Sequence, residues 1–239
     1  MSIWTYDLLL PAVASADRIS LDEGQTPLVR SRRIGPSVGL NNLYFKYEGS
    51  NPTGSYKDRF TALAVSLLGV NGKKAAIGVS SGNAGAALAA YCAAVDIPCF
   101  VAILEKASTG KLRQMQAYGA TLLRIRGFGF DPVVTGEVME GLGSLAVEMQ
   151  AAQEISAFKY CPLAMEAVQT ISYELAEQLG QRLDHVFSPT AGGGLSLAVA
   201  RGFGHMESSP AIHCVQPTGN NTIAGPLREG KKRAQTGEG

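Results

Sequence analysis

The sequence predicts an α/β fold, in which parallel strands alternate with helices. Three observations carry this prediction: short runs rich in Val, Ile and Phe, Ala-rich helical segments between them, and Gly-rich turns where a strand leads into a helix. Of the 239 residues, 46% are hydrophobic and 17% are charged, which excludes a disordered chain. A chain of this length can bury a substantial core.

The first part of the chain, up to about Glu48, contains short apolar runs and turn residues, with one strand predicted at residues 43–47. The loop at residues 49–54 follows. Ser55 is then placed as a helix N-cap, because the next apolar residues recur at helical spacing: Phe60, Leu63, Ala64, Leu67 and Leu68. Lys57 therefore falls in the first turn of a helix.

Strands and helices alternate from residue 74 onward. The predicted strands comprise residues 75–79, 97–104, 120–125, 185–188 and 211–216. The predicted helices comprise an Ala-rich segment that ends near residue 95 and residues 110–118, 133–150, 164–179 and 195–202. This order predicts a parallel sheet within a compact unit from about residue 57 to residue 153.

The charge balance limits the class of partner. Lys and Arg number 21 and Asp and Glu number 20, so there is no basic field to attract nucleic acid or an anionic membrane. Residues 75–95 are uncharged but contain Ser80, Ser81, Asn83 and three glycines, so they do not predict a membrane span. The expected partner is therefore a small molecule, with no nucleic acid and no membrane.

The cysteines predict a reduced, cytoplasmic chain. They lack the C-x-x-C spacing of zinc or redox sites, and the three histidines show no metal-ligand spacing, so no metal site is predicted. Cys92 and Cys99 could pair if the fold brought them together, but the reduced state is favoured.

Lys57 is the first candidate for chemistry. A lysine in the first turn of a helix lies near the positive end of the helix dipole, and burial would add a desolvation effect of the same sign. Both effects favour the neutral amine that Schiff-base formation requires. The alternative is a solvated lysine at a helix start, and position alone does not separate the two.

The second candidate is the turn at residues 80–85, between a predicted strand and a predicted helix. Open α/β folds bind ligands at the carboxyl ends of their strands. Ser80, Ser81 and Gly82 offer hydroxyls and amides that suit a carboxylate, and Asn83 adds a side-chain donor. The alternative is an ordinary Ser/Asn helix cap.

The third candidate is the triple-glycine turn at residues 192–194. Amides without neighbouring Cβ atoms, at the start of a helix, can surround a phosphate. The P-loop pattern is absent, and residues 127–129 lack the setting of a dinucleotide fingerprint. A plain tight turn remains the alternative.

Together, an activated lysine, a carboxylate cradle and a phosphate-binding turn match pyridoxal phosphate and its amino-acid substrate. Residues 51–59, Asn-Pro-Thr-Gly-Ser-Tyr-Lys-Asp-Arg, closely resemble the cofactor-lysine motif of threonine synthases, members of the pyridoxal-phosphate-dependent β-family. Further matches run in family order from about residue 20 to 217. They are residues 23–28, 80–83, 110–112, 118–120 and 192–194, and Glu166 with Thr170.

The resemblance implies a role for each candidate. Lys57 would hold the cofactor as a Schiff base and then move protons at the substrate's α and β carbons, while Asp58 and Arg59 would fix its helix. Asn83 would bind the cofactor's ring oxygen. The cofactor phosphate would be bound by the backbone amides of Gly192, Gly193, Gly194 and Leu195. The substrate would be bound by Ser80, Ser81, Gly82 and Lys111.

The resemblance also implies the domain organisation of a fold type II enzyme, with two open twisted sheets flanked by helices. A smaller α/β domain would comprise residues 57–153. The larger cofactor-binding domain would comprise residues 1–56 and 154–239 and would be incomplete at its C-terminus, since the family continues for roughly another hundred residues. A homodimer is expected.

The implied activity is conversion of O-phospho-L-homoserine and water to L-threonine and phosphate. Phe60 and Gln169 stand where many relatives have other residues, so the substrate stays open. Two alternatives remain: a pyridoxal-phosphate-dependent serine/threonine dehydratase or β-replacement synthase, and a non-catalytic truncated module that keeps the cofactor fold.

Overall fold

The computed structural model describes residues 2–105, 107–206, 208 and 210–234. The strands are β1 (Leu28–Arg30), β2 (Tyr44–Lys46), β3 (Ala75–Val79), β4 (Cys99–Ile103), β5 (Thr121–Arg124), β6 (Ala151–Glu154), β7 (His185–Pro189) and β8 (Ala211–Val215). The α-helices are α1 (Ile34–Ser37), α2 (Lys57–Val70), α3 (Asn83–Ala94), α4 (Thr109–Ala117), α5 (Pro132–Glu148), α6 (Pro162–Met165), α7 (Thr170–Leu179), α8 (Gly194–His205) and α9 (Ala224–Arg228). This alternation confirms the predicted α/β class.

A four-stranded parallel sheet, in the order β5-β4-β3-β6, forms the centre of the predicted smaller domain. The registers pair Ala76 with Cys99 and Gly78 with Glu154. Leu142 and Ala146 of α5 pack with Ile77 on one face, and α3 packs on the other. Because all four strands run in parallel, their carboxyl ends meet at one edge of the sheet.

The predicted larger domain contributes two separate pairs of strands to the described part of the chain. Strands β1 and β2 form an antiparallel pair, and β7 and β8 form a parallel pair. The two pairs do not join into one sheet, because β1 and β2 hydrogen-bond only to each other among the described strands.

Helix α2 packs into two cores. Leu63 and Leu68 belong to the core shared with α3 and the N-terminal segment. Phe60 and Ala64 belong to a second core with Met165 and the helices that follow it. The start of α2 therefore lies between the two predicted domains, whose boundaries remain a prediction.

Two of the differences from the predicted local structure concern β6 and the helix predicted at residues 164–179. Strand β6 was not predicted, because Ala-Ala-Gln-Glu has weak strand preference and forms a strand only by pairing with β3. The helix predicted at residues 164–179 is interrupted by a 3-10 turn at Glu166–Gln169. There the Thr170 hydroxyl donates to the Ala167 carbonyl at 2.6 Å, as expected for a tightened turn.

Residues 75–95 comprise β3, a turn and α3, as the polar residues of this segment predicted. Among the described helices, none combines the length and the apolar run needed to cross a bilayer. Cys92 and Cys99 are both buried and both free. Residues 235–239, the polar end of the predicted larger domain, lie outside the described residues.

Candidate active site

Lys57 is the first residue of α2, and this confirms its predicted place in the first turn. The Ser55 hydroxyl accepts a hydrogen bond from the Lys57 backbone N–H at 3.3 Å. The Lys57 ammonium nitrogen lies 4.6 Å from the centroid of the Tyr56 ring and donates to the Ser156 hydroxyl at 2.8 Å. The amine is therefore held beside a hydroxyl that no sequence motif had singled out.

Lys57 and the triple-glycine turn line the same open cavity, which has a volume of about 630 Å³. The structure thus brings together two segments that are more than a hundred positions apart in the chain. The cavity is lined by Lys57 and Tyr56, by residues 156–159, by residues 189–197 including Gly192, Gly193, Gly194 and Leu195, and by Ala200, Ile212, Cys214 and Ile223.

The triple-glycine turn connects β7, which ends at Pro189, to α8, which begins at Gly194. Gly193 has φ +85°, a left-handed conformation that side chains disfavour, and a Cβ built there would lie 3.3 Å from Ile223 Cδ1. The first backbone amides of α8 have no helical partner. This part of the cavity can therefore bind an anion through backbone N–H groups.

Three buried hydroxyls hold this turn against β7. Thr190 Oγ1 lies 2.6 Å from Ser196 Oγ, and Ser196 Oγ donates to Ser188 Oγ at 3.1 Å. Thr190 also donates to the Ser188 carbonyl at 2.9 Å. The sequence analysis missed this cluster, although small hydroxyl residues on both sides of a glycine run were a visible signal.

Ser80, Ser81, Gly82 and Asn83 occupy the predicted junction between β3 and α3, but they do not line the cavity. Ser80 Oγ accepts from the Gly82 amide at 3.1 Å, and Ser81 Oγ accepts from the Leu104 amide at 2.6 Å. Asn83 is exposed at the first position of α3. The junction lies at the same sheet edge as the residues after β6, because β3 and β6 are neighbours.

Lys111 also lies outside the cavity lining but close to the loop that precedes Lys57. Its ammonium donates to Gln114 Oε1 at 3.0 Å and approaches the Thr53 carbonyl at 3.4 Å. Thr53 in turn donates to the buried Asp58 carboxylate from its amide and its hydroxyl, at 3.1 and 2.8 Å. Burial raises the pKa of Asp58, against the opposing effect of these hydrogen bonds.

Arg59 connects α2 to two other segments through a buried ion network. Its guanidinium donates to Glu48 of the preceding loop and to Glu174 of α7. Burial alone would lower the pKa of Arg59, but Glu174 and Glu48 outweigh it and raise that pKa. For Glu174, burial acts to raise the pKa, and Arg59 and Lys46 lower it overall. These contacts confirm the prediction that Asp58 and Arg59 fix the lysine's helix.

The charges that line the cavity are of one sign. Lys57 and Lys159 are the charged residues in the described lining, and neither Asp nor Glu contributes to it. A cavity of this size and charge suits a small anionic ligand.

Glu154, the last residue of β6, is a half-buried residue two positions before Ser156, which lines the cavity. Its Oε2 atom has no hydrogen-bond partner among the described residues. Burial raises the pKa of this carboxyl to about 7, with a smaller opposing effect from the Cys161 thiol.

Comparison with known proteins identifies a family and several relatives. The sequence model of a family described as "Pyridoxal-phosphate dependent enzyme" matches residues 19–238. A threonine synthase from Methanosarcina acetivorans is 32% identical over 238 residues, which cover 96% of this chain and 56% of that protein. The chain spans between about half and three fifths of the length of the curated relatives it matches.

Solved structures of related fold include the serine racemase of Dictyostelium discoideum. It superposes with a TM-score of 0.74 at 25% identity, over 87% of this chain and 65% of that one. A threonine deaminase from T.th. gives a TM-score of 0.73 at 25% identity, over 90% of this chain and 66% of that one. Proteins that are named for different reactions therefore share this overall fold.

Proposed function

Because the chain belongs to the pyridoxal-phosphate-dependent enzyme family, we propose that it takes part in conversion of O-phospho-L-homoserine and water to L-threonine and phosphate. Pyridoxal phosphate is the cofactor of the family, as the sequence motifs predicted. One observation carries the proposal: the Lys57 amine and the amides of the turn at residues 192–194 line a single cavity.

The cavity residues fit this cofactor. An amine at one part of the lining suits an aldehyde, and a glycine turn at a helix start suits a phosphate. The left-handed Gly193 leaves the turn without a Cβ that would crowd Ile223. When bound, the cofactor supplies an electron sink for reactions at the substrate's α carbon.

The chain's own residues then have separate tasks. Lys57 would hold the cofactor covalently through its amine and would carry protons to and from the substrate's α and β carbons. Residues 192–195 would bind the cofactor phosphate, and Asn83, which lies outside the cavity lining, would bind the ring oxygen from the start of α3. The substrate carboxylate would be bound by Ser80, Ser81 and Gly82. Lys111, which lies close to the loop before α2, would also bind the substrate.

A phosphorylated substrate is supported by two observations. The curated relatives named threonine synthase are 31% to 34% identical to this chain. In addition, Lys159 gives the cavity lining a second cation beyond Lys57, which suits a second anionic group. Because the chain spans only part of these relatives, the complete reaction belongs to the proposal.

A serine or threonine dehydratase is the second candidate, and it is favoured by the solved structures of similar fold, which include a threonine deaminase. The two reactions release different products. Incubation with O-phosphohomoserine should release phosphate and form threonine, whereas a dehydratase would form a 2-oxo acid from serine or threonine.

The direct test is a visible absorbance scan of the purified protein loaded with pyridoxal phosphate, followed by borohydride reduction and peptide mass mapping. A visible absorbance band and a reduced adduct on Lys57 are expected, and Lys57→Ala should lose both. The exposed Lys73→Ala is the matched control and should keep both. If the wild type shows no band and no adduct, the catalytic proposal fails and a non-catalytic module is favoured.

Assembly and location belong to the same proposal. We expect a homodimer because the family resemblance implies one, and a cytoplasmic location because the cysteines predict a reduced chain. Sedimentation equilibrium of the purified protein would contradict the homodimer if it gave a single species of 25.1 kDa at micromolar concentration.

A further inference from the structure

Ser156 makes a direct contact with Lys57 that the proposed function has not used. The Lys57 ammonium donates to Ser156 Oγ at 2.8 Å, although the two residues are 99 positions apart. Both residues line the cavity. We propose that Ser156 is a positioning residue, which holds the amine of Lys57 whenever that amine is not bonded to the cofactor. This role of Ser156 rests on the proposed role of Lys57.

The position of Ser156 follows from the central sheet. Gly78 of β3 pairs with Glu154, the last residue of β6, so Ser156 follows its strand at the edge of the sheet where Ser80 follows β3. Ser156, which contacts Lys57, therefore lies at the same sheet edge as the junction proposed to receive the substrate carboxylate.

The chemistry of a hydroxyl suits this role. A hydroxyl accepts a hydrogen bond from an ammonium and can also donate one to a neutral amine, so it can hold Lys57 in either protonation state. A carboxylate could only accept, and it would favour the charged form. No carboxylate stands in the described lining of the cavity.

The hydroxyl proton of Ser156 is free to change partner. In the structure Ser156 Oγ lies 3.7 Å from Met165 Sδ, and a thioether is a weak acceptor. Little energy is therefore lost when the proton turns from Met165 to an uncharged Lys57. A hydroxyl can therefore hold a lysine both before and after it gives up a proton.

The contact would matter most while the Lys57 amine is not bonded to the cofactor. The freed side chain has four rotatable bonds, and without a partner it would sample many positions. Held by Ser156, its amine remains within reach of the carbons where protons are exchanged. Loss of the hydroxyl should therefore slow turnover more than it weakens substrate binding.

The test compares Ser156→Ala with Ser156→Thr, which keeps a hydroxyl, and with the exposed Ser144→Ala as control. In cofactor-free protein, reductive methylation of Lys57, followed by peptide mass mapping at several pH values, reports the freedom of the amine. Ser156→Ala should be labelled about threefold faster than wild type, while Ser156→Thr and Ser144→Ala should stay within twofold.

Kinetics of the loaded protein give a second readout. Ser156→Ala should keep the visible band but lose about tenfold in kcat, as expected for one hydrogen bond, with KM within threefold of wild type. Ser156→Thr should recover most of the loss. Unchanged labelling together with unchanged kcat in Ser156→Ala would overturn the proposal, and so would failure of Ser156→Thr to recover either readout. A missing absorbance band in wild type would instead contradict the proposed function. The labelling result would still show whether Ser156 holds the Lys57 amine.

Discussion

The guanidinium of Arg59 is paired with the carboxylate of Glu174, and both side chains are fully buried. The two residues are 115 positions apart, so their pairing attaches the helix that begins with Lys57 to α7. Glu48 accepts two further hydrogen bonds from the same guanidinium, both at 2.8 Å. The position of the catalytic candidate therefore depends on a buried ion network.

Arg59→Met should destabilise the protein strongly, because it leaves the Glu174 charge buried with its main partner removed. Removal of one member of a buried pair costs about 3 to 5 kcal/mol. The free energy of unfolding from urea titration is the measurement. As control, Arg182→Met removes the exposed partner of Asp184 and should change stability by less than about 0.5 kcal/mol. A loss below about 1 kcal/mol in Arg59→Met would contradict a stabilising role.

Glu154→Gln should stabilise the protein at alkaline pH but not at acidic pH. The pKa of Glu154 is raised from 4.5 to about 7 in the folded state. Stability is therefore lost as pH rises from 4.5 through 7, by at most about 3 kcal/mol. The neutral variant escapes this loss, so the difference in unfolding free energy should be near zero at about pH 4.5 and largest at about pH 8. As control, Glu140→Gln changes an exposed carboxylate and should show no such dependence on pH. If the difference in unfolding free energy between Glu154→Gln and wild type were the same at both pH values, the raised pKa of Glu154 would be refuted.

Gly193→Ala should weaken cofactor binding, since Gly193 has φ +85° and an added Cβ would crowd Ile223 at 3.3 Å. The left-handed conformation costs a residue with a Cβ about 1 kcal/mol. We expect the Kd for pyridoxal phosphate, measured by absorbance titration, to rise about fivefold or more. Gly204→Ala places its Cβ in open space on the same helix and should leave that Kd unchanged. Equal Kd values for both variants would exclude the turn as the phosphate site.

Lys159→Ala should raise the KM for O-phosphohomoserine about fivefold to tenfold, because a charge-assisted contact to the substrate phosphate is lost. The visible band should remain, since Lys57 is untouched. Initial-rate measurements with O-phosphohomoserine and with serine separate the effect, because serine carries no phosphate and its KM should stay constant. Lys73→Ala is the control for loss of a surface charge. A parallel rise in both KM values would argue against a specific phosphate contact.

Local patterns in the sequence were sufficient for the fold class and for part of the site. The helical spacing after Ser55 predicted a helix with Lys57 in its first turn, and the glycine run predicted a turn before α8. The apolar run at residues 75–79 predicted β3 with its observed bounds. These features depend on periodicity and on backbone preferences of neighbouring residues, which the sequence displays directly.

Contacts between distant segments could not be predicted in this way. Ser156 follows β6, whose weak strand preference hid both the strand and the hydroxyl that meets Lys57. Similarly, Glu174 lies within an amphipathic helix, and its position there does not indicate burial beside Arg59.

Residue types and their local spacing were thus enough to indicate which side chains could carry the chemistry and which elements hold them. Only the packed chain reveals that the Lys57 amine meets Ser156 and shares a cavity with residues 192–194, whereas the turn at residues 80–83 lies outside that cavity lining. This division arises because burial and the choice of partner depend on how helices and sheets pack over long sequence separations, and no local pattern encodes that packing.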